Sequence, residues 1–113
     1  MDKPRITIDE FSKIEVSVGT VLGAERVPET DKLMRLMVDF GEKSGPRQII
    51  SGIAAYVPEP GSLLGRQLAF VTNLEPRTIR GLESNGMLFA VGSAESFAFL
   101  TPDRSVPPGT SAH

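Results

Sequence analysis

The sequence contains no cysteine and no tryptophan, and it has a single tyrosine. Its only histidine is His113, the last residue, at a position that frays in most chains. Without cysteine there is no disulfide framework, and a reducing cytosol is the natural address. Without cysteine and with one terminal histidine, zinc centres and Ser-His or Cys-His nucleophilic pairs are excluded. No stretch approaches the roughly 20 apolar residues of a membrane span. The opening "MDKPRITIDEF" has no apolar core of the kind a signal peptide needs. The scarcity of large aromatics leaves few stacking platforms.

Cationic excess is missing too. Twelve Lys and Arg face fourteen Asp and Glu, a net charge of -2. Indiscriminate phosphate binding needs many neutralising cations, so any nucleic-acid contact must come from a local basic face on an acidic body.

What is present suits a folded protein: 40% hydrophobic residues over 113 positions, read as one domain spanning residues 1–113. Thr7 and Glu10 in "TIDEF" have the spacing of a capping box, which predicts a short helical turn. In "KIEVSVGTVLGAERV" the alternation of Ile14, Val16 and Val18 against Glu15 and Ser17 predicts a strand burying the former set, with Gly19 and Gly23 as bulge positions. "KLMRLMVDFG" predicts a second strand with Met34, Leu36, Val38 and Phe40 on one face, and "RQIIS" a third. "GIAAYVPEPGSLLG" reads as a crossover with a helical turn or two. "RQLAFVTNL" and "GMLFAVG" read as fourth and fifth strands, and "SFAFL" as a short extra one. "TPDRSVPPGTSAH" is too proline-rich for regular structure, and Asn85-Gly86 carries a type I′ hairpin signal. The sum is an all-β chain with a short helical connection, fitting a five-stranded Greek-key barrel of the OB type. Periodicity alone leaves an SH3-like barrel or a small sandwich open.

Enzymatic motifs fail on inspection. Gly81 to Gly86 has the gap of a phosphate loop, but Met87 and Leu88 stand where Lys and Ser or Thr are required. Ser51-Gly52 lacks the flanking glycine of a nucleophile elbow. The carboxylate pairs Asp9/Glu10 and Asp39/Glu42 read as solvated surface, since nothing clusters the oxygens a hard cation needs. No catalytic residue, metal or cofactor is expected, and the chain reads as a binding protein. Lys32 and Arg35 beginning the second strand, Arg47 beginning the third, and Arg77 and Arg80 after the fourth could converge into one groove or simply solubilise the surface. Met87, opening a strand, could belong to the core or to a contact.

Several segments match a known family. "ITIDEFSKIEVSVGTVLGAERVPETDKLMRLMVDFGE", "RQIISGIAAYV", "VTNLEPRTIRGLESNGMLFA" and "FLTPDRSVPPG" resemble, in order and over nearly the whole chain, the tRNA-binding domain at the C-terminus of many methionyl-tRNA synthetases. The same module is similar to free-standing tRNA-binding proteins and to CsaA-type export chaperones. The resemblance implies an OB-fold barrel whose terminal segments, including a C-terminal extension, take part in homodimerisation. It implies a non-catalytic, cytoplasmic module that binds folded tRNA by shape, either free-standing or in trans with methionyl-tRNA synthetase and away from any membrane. A CsaA-like chaperone for unfolded export substrates is the alternative. The residues it implicates are Ser84, Asn85 and Met87 of "ESNGM", Arg77 and Arg80 before them, Asn73 opening that segment, and Lys32 of "DKL". Arg35 and Arg47 join this set from strand geometry. The low charge and a C-terminal tail without lysine imply weak binding by one copy, raised by avidity in a dimer.

Overall fold

The computed structural model describes residues 2–113. Its elements in chain order are α1 (Ile8–Phe11), β1 (Val16–Arg26), β2 (Met34–Asp39), β3 (Arg47–Ser51), β4 (Gln67–Val71), β5 (Arg77–Ile79), β6 (Leu82–Ser84), β7 (Met87–Leu88), β8 (Ala90–Val91), β9 (Ala98–Phe99) and β10 (Ser111–Ala112). Two short 3-10 turns, Ala54–Tyr56 and Pro60–Leu63, form the crossover between β3 and β4, as its prolines and glycines predict.

α1 is a single turn, too short to hold itself by backbone bonds alone. Its capping box forms as predicted: Glu10 N donates to Thr7 Oγ1 at 3.1 Å and Thr7 N donates to Glu10 Oε1 at 3.3 Å. β1 is the organising strand. Its first half pairs with β4 (Val16↔Val71 to Thr20↔Gln67) and its second half with β2 (Thr20↔Asp39 to Arg26↔Met34). The register slips between Val21 and Gly23, leaving Leu22 as a bulge that bends the strand around the barrel. Gly19 has a different role from the bulge its sequence context suggests. A Cβ there would run into Val38 Cγ1 and lie 2.7 Å from Phe40 Cε1, so only glycine lets β1 pass this close to β2.

The sheet order is β3-β2-β1-β4-β7, all antiparallel. The Greek-key step is the pairing of β1 with β4 across the crossover. The edges β3 and β7 are drawn together by the chain between them: Asn85 N donates to Gln48 O at 2.8 Å, and Ile50 N donates to Ser84 Oγ at 2.9 Å. The result is a nearly closed five-stranded barrel of the OB type. Met34, Leu36, Val38, Ile49, Leu68 and Phe70 are fully buried inside it, with Leu63 of the crossover closing one end. The alternation of β2 is as predicted, down to Phe40, whose ring meets Phe70 edge-on at 5.4 Å.

Four expectations are corrected. In β1 the inward set is Ser17, Gly19 and Val21, while Ile14 is exposed and Val16 and Val18 are half-buried. The inward hydroxyl of Ser17 is satisfied by Thr72 Oγ1 at 3.3 Å, so a polar residue sits inside at little cost. The proline-rich tail does end in regular structure: β10 pairs with Val16 and Ser17 of β1, continuing the edge that β2 covers farther along. Gly109, at φ +91°, makes the return possible, since a side chain there would strike Phe40 O. Finally, the two-residue hairpin loop is Arg80-Gly81, not Asn85-Gly86. Arg80 (φ 51°) and Gly81 (φ 79°) both take the left-handed conformation that a type I′ turn requires, joining β5 to β6. Asn85-Gly86 instead leads from β6 into β7, which pairs with β4. The expected fifth strand is split at Phe89 into β7 and β8, the latter pairing with β9 from "SFAFL".

Candidate nucleic-acid interface

The loop from β1 to β2 closes on itself through Val27 N to Leu33 O at 3.0 Å and Thr30 Oγ1 to Val27 O at 2.8 Å. Its last residues carry Lys32, whose carbonyl accepts from Ala54 N at 2.9 Å. The backbone of Lys32 is therefore fixed while its side chain is exposed. The β5–β6 hairpin delivers Arg80 to the same place. Thr30, Asp31, Lys32, Leu33, Ile79 and Arg80 line one cleft of about 370 Å3. Arg77 is exposed at the base of this hairpin, opposite Ser84. Among the described residues, Lys32, Arg77 and Arg80 enter no ion pair. Such cations remain free to meet an anion at full strength.

The other two arginines are engaged. Arg35 donates from NH1 to Glu25 and from Nε to Gln48, both at 2.6 Å. Arg47 grips Glu42 through Nε at 2.8 Å and NH2 at 2.7 Å, and gives NH1 to Thr72 O at 2.8 Å. It also lies over the Phe40 ring. This bidentate bond holds the Glu42 carboxyl below its ordinary pKa of 4.5 and, reciprocally, raises that of Arg47. The pair stays ionised and internally neutral, so Arg47 serves the barrel wall.

The amide of Asn73 is equally committed. Its Oδ1 accepts from Glu15 N at 2.8 Å and its Nδ2 donates to Lys13 O at 2.6 Å, tying the N-terminal arm to the end of β4. Ser84 departs furthest from expectation. It is 4% exposed; its hydroxyl accepts from Ile50 N and donates to Gly86 O at 3.1 Å. It positions the segment that presents its neighbours. Asn85 is half-buried beside a polar hollow of about 520 Å3, and Met87 is 45% exposed. The structure places Lys32 and Arg80 at one cleft, with Arg77 on the same hairpin. Arg35, Arg47, Asn73 and Ser84 are structural in their contacts. Tyr56 and Phe89, exposed at 38% and 43%, carry no spacing signal in the sequence that marks them as surface aromatics.

Ser84→Ala leaves the buried Ile50 N–H without its acceptor. We expect a loss of about 1–3 kcal/mol in denaturant unfolding. A change under ~0.5 kcal/mol, the range of an ordinary surface substitution, would show that the hydroxyl does not hold β3.

Residues 16–111 match the family described as "Putative tRNA binding domain". Over 107 residues the chain is 49% identical to a methionine–tRNA ligase of Methanoregula boonei, covering 95% of this chain and 15% of that protein. The chain thus spans about 15% of the length of the curated relatives it matches. Among solved structures, a MetRS-related protein from Pyrococcus horikoshii superposes with a TM-score of 0.88 at 36% identity, covering 98% of this chain and all of that one. The chaperone CsaA of Bacillus anthracis superposes at 0.83 with 28% identity, covering 97% and 100%.

Proposed function

The chain belongs to the tRNA-binding domain family, and from that premise we propose that residues 1–113 form one non-catalytic domain which binds folded tRNA by shape. The observation that carries this reading is the set of unpaired cations, Lys32, Arg77 and Arg80, gathered by one loop and one hairpin. Each is suited to a phosphate, while Met87 and the half-buried Asn85 offer an adaptable apolar tip and an amide to sugar or base. Arg35, Arg47, Asn73 and Ser84 support this rim by holding the strands and arm around it. OB barrels bind along such loop-rimmed faces. The module acts in the cytoplasm, free-standing or in trans with methionyl-tRNA synthetase, and needs no cofactor.

The module works as a homodimer. Ile6, Ile8, Phe11 and Ile14 of the N-terminal arm are 49–76% exposed, and no residue of α1 is buried. A second copy burying this arm removes that apolar surface from water. Light scattering at micromolar concentration should give twice the 12.2 kDa chain mass. A stable species at the single-chain mass would contradict it.

The exposed apolar arm also suits a second reading, a CsaA-like chaperone for unfolded export substrates. Titrating the protein with folded tRNA and with an unfolded polypeptide separates the two. Preference for tRNA supports the module; preference for the polypeptide supports the chaperone.

A further inference from the structure

A second cationic hollow shares no lining residue with the Lys32–Arg80 cleft. Arg66 immediately precedes β4, and its carbonyl accepts from Val21 N of β1 at 2.9 Å. Gly65, Arg66, Gln67, Thr101, Arg104 and Ser105 line this hollow of about 260 Å3.

Its walls are fixed. The Gln67 amide donates to Val106 O at 2.6 Å and to Thr20 Oγ1 at 3.1 Å, and accepts from Val106 N at 3.0 Å. Ala69 N donates to Leu100 O at 3.0 Å. Both ends of residues 101–105 are thus tied to β4, and Pro102 stiffens the span between. The Arg66 guanidinium rests 5.2 Å above the centre of the Phe99 ring, which orients it without neutralising it. Arg104 has only its neighbour Asp103, at 3.7 Å with both side chains more than 80% exposed, a pair of little strength. Among the described residues the hydroxyls of Thr101 and Ser105 have no hydrogen-bond partner, and no carboxylate lines the hollow.

Two guanidinium groups and two free hydroxyls around an open hollow select a tetrahedral oxyanion carried on a chain. An aromatic row leads from here toward the first cleft. Phe99 meets Phe97 edge-on at 5.1 Å, Phe97 stacks on Tyr56 at 4.4 Å, and Tyr56 ends the 3-10 turn whose Ala54 N–H holds Lys32.

We propose that the Arg66–Arg104 hollow is a second phosphodiester-contact site for the RNA held at the Lys32–Arg80 cleft. This rests on the tRNA-binding reading, and it means one RNA backbone is gripped at two separate hollows.

The test is tRNA affinity measured across a salt series for the wild type, Arg66→Gln, Arg104→Gln, the double variant and Lys32→Gln/Arg80→Gly. Each second-hollow variant should reduce the slope of log K against log salt by about one and weaken binding several-fold. Arg104→Glu guards against loss of packing at Phe99, because Arg104 is exposed; it should weaken binding further with an unchanged melting temperature. If the double variant keeps wild-type affinity and slope while Lys32→Gln/Arg80→Gly loses both, the second site is overturned and the first reading stands. Salt-independent or absent binding by the wild type overturns both.

Discussion

The triple variant Lys32→Gln/Arg77→Gln/Arg80→Gly should lose about a hundredfold in tRNA affinity and keep the wild-type melting temperature. Each removed cation forgoes one charge-assisted phosphate contact of roughly 1 kcal/mol net, and ~3 kcal/mol corresponds to about two decades in Kd. The salt slope should fall by about three. Stability should not fall with it, because among the described residues none of the three side chains has an ionic partner to lose. Arg80→Gly even suits the backbone, since φ 51° strains arginine and not glycine. A filter-binding series beside thermal melts reads both quantities. Wild-type affinity in a folded triple variant would show that these cations are ordinary surface charge.

Phe70→Ala should act in the opposite sense, on stability first. Phe70 is fully buried, pairs with Ser17 in β1 and Leu88 in β7, and packs edge-on against Phe40. Its truncation opens a cavity where two strands of the barrel meet, at a cost of about 3–5 kcal/mol. That is a large share of the ~5–15 kcal/mol that holds a domain of this size together. A melting temperature lowered by roughly 12–20 °C is expected. RNA affinity per folded molecule should be unchanged while folded protein remains. A loss under ~1 kcal/mol would mean that the barrel collapses around the cavity, against the close packing that Gly19 also reports.

The legible parts of this fold are those with long periodic signals. β2 shows its inward face over Met34, Leu36, Val38 and Phe40, and the crossover shows itself through its prolines. The capping box at Thr7 is legible because it is local. β1 misleads because its inward positions, Ser17 and Gly19, are polar or empty where neighbours press close. β5 and β6 are invisible because three residues each cannot establish a period, and their turn uses an arginine where glycine or asparagine is the usual sign. The site follows the same division. Residue type finds the cations, but only the contacts reveal that Glu42 and Glu25 occupy Arg47 and Arg35. Nothing in "ESNGM" foretells that the Ser84 hydroxyl is spent on Ile50, since a serine before Asn-Gly looks like any exposed turn residue.

In the proposed function, folded tRNA is the ligand and phosphate contacts hold it. The most direct measurement is the affinity for folded tRNA between low and high salt, run beside duplex DNA of matched length and an unfolded polypeptide. The account predicts a linear fall of log K with log salt worth about two to five phosphates, with tRNA bound more tightly than either competitor. Affinity for tRNA that does not change with salt, or equal binding of the duplex DNA or the polypeptide, would contradict it.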